Sequence, residues 1–164
     1  MSQADSLLLK AKSDALKLLS FQPRSVEELR KRLKLKKYSE TLIGQVLDQL
    51  KLQGLLNDEK FAKFFSQSRL HTHPSGKKRL QFELKQKGIT PEVAQRVLDA
   101  VSEDEEAESA KEIAARYLRS QKGVPRVKQR VRLYGFLRRR GYQNELVFKV
   151  MNELFKGLGE AGVE

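Results

Sequence analysis

Leu29-Arg30-Lys31-Arg32-Leu33-Lys34-Leu35-Lys36-Lys37-Tyr38 is the stretch that decides the fold, because its pattern returns twice. A Leu-x-x-x-Leu pair, a basic stretch, a turn and an apolar-spaced helix recur as Leu80-Gln81-Phe82-Glu83-Leu84 leading to Ile89, and as Leu133-Tyr134-Gly135-Phe136-Leu137 leading to Tyr142. An offset of 51 carries Leu29, Leu33, Tyr38, Leu42, Val46, Leu47 and Leu50 onto Leu80, Leu84, Ile89, Val93, Val97, Leu98 and Val101, and a further 53 reaches Leu133, Leu137, Tyr142, Leu146, Val150, Met151 and Leu154. Every one of these positions is apolar in all three copies. Self-similarity at a period of this size is the signature of helical units that bury their apolar faces on their neighbours.

With 164 residues, each copy has about fifty, too few to bury a sufficient core alone, so the copies must lean on one another in a row. Helical periodicity runs from end to end and no stretch alternates strictly enough for a strand. The expected fold is all-α: three tandem three-helix, helix-turn-helix-like repeats forming an elongated, curved rod, at residues 1–56, 57–101 and 102–156, with a frayed tail at 157–164. Punctuation supports the three helices per copy. Pro23 ends an opening helix, Ser25-Val26-Glu27-Glu28 is a capping box, Ser39 caps a third helix that Gly54 stops, and Thr90-Pro91-Glu92 and Ser102-Glu103-Asp104-Glu105 open later ones. Leu70–Gly76 and Ser120–Pro125 read as loops that lengthen the joins after the opening helices.

Composition narrows the chemistry. The absence of cysteine excludes a disulfide framework and a thiolate metal site, and fits a reducing cytosol. The beginning, Met1-Ser2-Gln3-Ala4-Asp5-Ser6, lacks a basic n-region and no stretch approaches a membrane span, so a cytoplasmic, soluble, monomeric protein is expected. The net charge is +12, and its placement is informative. Residues 24–37, 77–87 and 126–140 hold 19 of the 33 Lys and Arg but only three acids, Glu27, Glu28 and Glu83. The basicity therefore belongs to the middle helix of each copy, and such concentration favours a polyanionic partner, nucleic acid or an acidic protein groove.

Around the helical wheel, with Leu80 at the centre of the buried face, Lys78, Arg79, Lys85 and Gln86 swing outward with Phe82 among them. An aromatic ringed by cations either stacks a base or anchors in a partner's pocket; packing against a neighbouring repeat is the bland alternative. Lys31 and Lys34 face outward in the first copy, and Lys128, Arg132 and Arg139 in the third. Lys34, Lys85 and Arg138, and two residues on Lys36, Lys87 and Arg140, are basic in every copy, which the negative end of a helix explains in part. It does not explain Lys77-Lys78-Arg79 at a helix start, nor the series Arg126, Lys128, Arg130, Arg132, for which a polyanion is the better account. A helix-turn-helix reader of duplex sequence is disfavoured, because the third helices, with Glu40, Asp48, Lys51; Glu92, Arg96, Asp99; and Glu145, Lys149, Glu153, are each net acidic. His71 and His73 lie in a Pro-Ser-Gly loop without a third ligand, so no metal is expected. Gly157-Leu158-Gly159-Glu160-Ala161-Gly162 matches a dinucleotide fingerprint by letter but lacks a preceding strand and a following helix. With no phosphate loop, nucleophile elbow or carboxylate pair, neither a cofactor nor an enzyme is expected.

The segment Gly76-Lys77-Lys78-Arg79-Leu80-Gln81-Phe82-Glu83-Leu84-Lys85-Gln86-Lys87-Gly88-Ile89 resembles the signature of the RecX family, regulators of the RecA recombinase. Ser25-Val26-Glu27-Glu28-Leu29, Gly54-Leu55-Leu56-Asn57-Asp58-Glu59-Lys60-Phe61-Ala62 and Phe136-Leu137-Arg138-Arg139-Arg140-Gly141-Tyr142 agree in order and spacing, while Lys77 stands where members often carry proline. The resemblance implies a non-enzymatic modulator lying in the groove of the RecA filament on single-stranded DNA. It would inhibit filament extension and thereby ATP hydrolysis, strand exchange and co-protease activity. The contact residues expected are Lys31, Lys34, Lys77, Lys78, Arg79, Phe82, Lys85, Lys128, Arg132, Arg138 and Arg139, toward RecA and single-stranded or double-stranded DNA. A largely sequence-independent DNA-binding protein acting without RecA is the alternative.

Overall fold

The computed structural model describes residues 3–156. Among the described residues there are nine helices and no strand: α1 (Gln3–Phe21), α2 (Val26–Leu35), α3 (Glu40–Leu52), α4 (Asp58–Thr72), α5 (Lys77–Gln86), α6 (Pro91–Asp99), α7 (Glu103–Arg119), α8 (Arg126–Arg139) and α9 (Asn144–Lys156). Both capping boxes form as read, Ser25 with Glu28 and Ser102 with Glu105, and Ser39 accepts the Leu42 N–H. Leu70–Gly76 is not all loop. Helix α4 continues through Thr72, since Leu70 is buried and holds the last turn down, and Pro74 follows where a helix cannot continue. The dinucleotide-like glycines and the expected frayed tail lie outside the described residues.

The helices group into two compact units: residues up to Phe64 with Leu84–Ala94, and Phe65–Glu83 with residues from Gln95 on. In the first unit, Leu29 and Leu33 of α2 meet Ala11 and Ala15 of α1 and Ile43, Val46, Leu47 and Leu50 of α3 in one core. In the second, Leu133 and Leu137 of α8 meet Ala110, Ile113 and Ala114 of α7 and Val147, Val150 and Met151 of α9. Of these, Leu29, Leu33, Val46, Leu47 and Leu50, and Leu133, Leu137, Val150 and Met151, are register positions of the repeat. Tyr38 and Tyr142 occupy equivalent turns, and each sends its hydroxyl back to its opening helix, to Asp14 at 2.8 Å and to Ser109 at 2.9 Å. Burial pushes the Tyr142 hydroxyl pKa up to about 12.

Each unit also contains one joint between consecutive copies. In the first unit, Ser25 Oγ, fully buried, accepts the Glu28 N–H and donates to the Lys87 carbonyl at 2.6 Å. Lys87 Nζ reaches Glu28 Oε1 at 2.6 Å, and the Val26 N–H donates to Asp58 Oδ1 at 2.8 Å. In the second unit, the Gly76 N–H donates to the Arg140 carbonyl at 2.8 Å, and Arg140 Nη1 donates to the Pro74 carbonyl at 3.3 Å. The two joints are the same joint. Gly76 is Ser25 displaced by 51, and Arg140 is Lys87 displaced by 53, so the trailing carbonyl of one middle helix meets a donor at the start of the preceding one. Gly88 and Gly141, at φ 78° and 88°, make the approach possible: a Cβ there would collide with Glu27 and Arg79 respectively.

Replacing Ser25 by Ala removes a cap and orphans a buried carbonyl, and should lower unfolding stability by about 2 kcal/mol in urea titration. Gly76→Ala, whose Cβ would overlap the Gly141 carbonyl and Tyr142 N, should cost more than Ser25→Ala in the same measurement. Tyr142 supplies a pH signature. Its folded pKa lies above the ordinary phenol value, so its contribution is fully present below pH ~10 and is lost as pH rises toward about 12. Between those values wild-type stability should fall more steeply than that of Tyr142→Phe, by roughly 2 kcal/mol in the difference.

Candidate functional site

The basic residues of the middle helices divide into those tied into the fold and those left on the surface. On α2, Lys31 Nζ lies 3.8 Å from Glu27 and Lys34 Nζ 2.7 Å from Glu40. The Lys34–Glu40 hydrogen bond raises the lysine pKa and lowers that of the carboxyl, so both stay charged as a pair. Lys31 and Lys34 remain exposed.

Helix α5 begins with three cations at the positive end of its dipole, and the neighbouring α7 explains the first. The Lys77 N–H donates to Glu106 Oε1 at 2.9 Å, and Lys77 Nζ donates to the Val101 carbonyl at 2.7 Å. Glu106 thus caps α5 from a distance, which is a structural use for the acidic start of α7. Arg79 Nε lies 3.0 Å from Glu83, which also receives Arg69 at 3.0 Å. Lys78, Phe82 and Lys85 follow one another by helical turns along α5. Lys78 and Lys85 are exposed and make no ion pair among the described residues. Phe82 is 60% exposed, which removes the alternative that it packs inside the fold.

On α8 the alternating cations separate by face. Arg130 sits over the Phe155 ring at 5.1 Å, and Arg126 over the same ring at 5.7 Å while donating to the Phe155 carbonyl at 2.8 Å. Both hold the end of α9. Lys128 and Arg132, one turn apart, face solvent, with Arg132 donating to Gln121 Oε1 at 3.0 Å. Arg139 is exposed beside Gly135. Arg138 is half-buried and donates to the Tyr142 carbonyl at 2.9 Å, closing the turn into α9.

Lys36, Lys87 and Arg140 do not simply satisfy the trailing carbonyls of their own helices. Lys87 and Arg140 reach across the joints, and Lys36 lies 3.3 Å from Asp14 of its own copy. Sequence reasoning missed Glu106 as a cap and the joints themselves; the only signal was the buried-type capping serine at Ser25 and its glycine counterpart at Gly76. His71 and His73 are exposed, and no three His, Cys, Asp or Glu side chains gather as a metal set among the described residues. No helix among the described residues is long and apolar enough to cross a membrane.

Tandem three-helix units with cations concentrated on their middle helices make this a helical-repeat protein. Family models described as the first, second and third three-helix domains of RecX match residues 11–50, 57–98 and 103–151. The chain belongs to the RecX family. Regulatory protein RecX of Amycolatopsis mediterranei is 34% identical over 150 residues, spanning 92% of this chain and 86% of that protein. The Chlorobium phaeobacteroides protein of the same name is 31% identical over 153 residues, spanning 93% and 99%. The crystal structure of RecX from Lactobacillus salivarius shares the fold, with a TM-score of 0.80 at 21% identity over 91% of this chain and 97% of that one. These relations make the chain a regulatory protein of the RecX kind with an all-α repeat fold.

The sorting of cations has a direct check. Lys78→Glu with Lys85→Glu should leave the thermal midpoint unchanged within experimental scatter, because neither side chain is engaged by the fold. Lys87→Glu should lose about 1–3 kcal/mol in denaturant unfolding, since it sets two carboxylates face to face at the joint.

Proposed function

We propose that this protein restrains a RecA-type recombinase filament assembled on single-stranded DNA, lying in the filament groove and blocking extension. Membership of the RecX family supports the reading. The observation that carries it is the row Lys78, Phe82 and Lys85, two unpaired cations and a 60% exposed aromatic on one middle helix. Cations of this kind approach phosphates or acidic filament walls, and the ring supplies a face for a base or an anchor for a partner's pocket. Lys128, Arg132 and Arg139 extend the contact in the third copy, while Lys31, Lys34 and Arg79 join it at the cost of their present carboxylates. Lys77 and Arg138 act by holding the surface in place. The protein works as a cytoplasmic monomer without catalysis, with repeats at 1–56, 57–101 and 102–156 spanning several protomers. It reduces ATP hydrolysis, strand exchange and co-protease activity, and so acts in recombination, DNA repair and the SOS response.

Added to preformed filaments at substoichiometric amounts, the protein should slow ATP hydrolysis; an unchanged rate at an equimolar ratio would sink the proposal. A second reading, direct binding to bare DNA without a recombinase, draws on the same exposed Phe82. It requires bare-DNA affinity that falls steeply with salt, with a slope reduced by about one for each of Lys78 and Lys85 replaced by Ala.

A further inference from the structure

A different surface, on the first unit, has the chemistry of a peptide-docking site. Pro23 ends the run out of α1, and the chain turns into α2 through Arg24, whose Nε donates to the Leu18 carbonyl at 3.3 Å. Opposite, Gly54 at φ 69° turns α3 toward α4, and both Leu55 and Leu56 donate their N–H groups to the Leu50 carbonyl. That turn sends Leu56 into the core and leaves Leu55 53% exposed. Asn57 Oδ1 accepts the Lys60 N–H at 2.9 Å and starts α4. Between these elements lies a notch of about 330 Å³ lined by Leu19, Leu55, Phe61, Phe64, Arg24 and Lys60, with Pro23, Gly54 and Asn57 completing its walls. Phe61 is buried at its floor, and Phe64 stands 57% exposed at its edge.

Three properties select the occupant. The notch is concave and built on capped helix ends, so little ordering accompanies docking. Its interior is aliphatic as well as aromatic, and Leu19 and Leu55 offer no face on which a base would stack. The lining residues include two cations and no acid. Resting on the filament reading above, we propose that this notch docks an acidic segment of the filament's protein component, with one large apolar side chain between Leu55 and Phe64 and carboxylates beside Arg24 and Lys60. The notch shares no lining residue with the cations of α5, so substitutions at the two should have separable effects.

The full-length protein tests this with recombinase filaments on single-stranded DNA. Leu55→Ser with Phe64→Ser, both on exposed side chains, should keep the wild-type circular dichroism melt. The double variant should need roughly tenfold more protein for half-maximal slowing of ATP hydrolysis, with affinity for a bare oligonucleotide unchanged. Lys60→Glu should shift the dose response in the same direction. A photoreactive benzoylphenylalanine in place of Phe64 should cross-link to the recombinase polypeptide, within a peptide containing acidic residues and a large apolar one. Unaltered potency of the double variant, a parallel loss of oligonucleotide affinity, or a cross-link to DNA would each overturn the notch proposal while leaving filament inhibition standing. Failure of the wild-type protein to slow hydrolysis removes the filament reading, and the notch with it.

Discussion

A single buried hydrogen bond at the end of a middle helix is the constraint on which the rest of this molecule depends. The last carbonyls of any α-helix lack partners within the helix, and a helix end buried without one is costly. Here the Lys87 carbonyl is met by the Ser25 hydroxyl and the Arg140 carbonyl by the Gly76 N–H, so the orphan acceptor of one copy becomes the attachment point of another. One joint uses a side chain and the other the backbone, yet the acceptor and the glycine beside it are the same. The apolar register is non-directional, since hydrophobic burial scales with area and not with the aim of any one group. A hydroxyl or amide aimed at one carbonyl is directional. The apolar register sets which residues of α2, α5 and α8 face the core, and the joint ties the end of one copy to the start of another.

The legible part of the fold was what local sequence controls. Leu29, Leu80 and Leu133, with their partners one turn on, are buried as the repeat required, and the serines before α2, α3 and α7 cap them. These rules act within a turn or two of helix. The illegible part acts over distance. Ser25 reads as a capping box from its neighbours alone, while its second bond reaches a carbonyl 62 residues away. Likewise the wheel puts Arg126 and Arg130 on the side of Leu133, roughly 20° and 60° from it, but cannot say that both will lie over the Phe155 ring. Lys77 looked anomalous at a helix start for the same reason: its cap, Glu106, arrives from another helix.

This sorting changes how the net charge of +12 should be understood. Much of the basicity in the middle helices does structural service, at the joints, at the end of α9 and in pairs with Glu27, Glu40 and Glu83. The remainder, Arg32, Lys78, Lys85, Lys128, Arg132 and Arg139, is modest in number and placed on helices. A surface of a few fixed cations with one exposed aromatic discriminates by position, whereas a flexible basic tail would hold any polyanion.

The joint is also directional, since a carbonyl end meets a donor end and never its like. Heterologous contacts of this type propagate into fibres unless something terminates them. At two register positions the bond stays within one copy: Lys36 is held by Asp14, and Gln129, the counterpart of Gly76, donates its amide to the Gln121 carbonyl at 3.0 Å. Positions that make a joint elsewhere are thus spent on bonds within a copy, Lys36 in the first and Gln129 in the third.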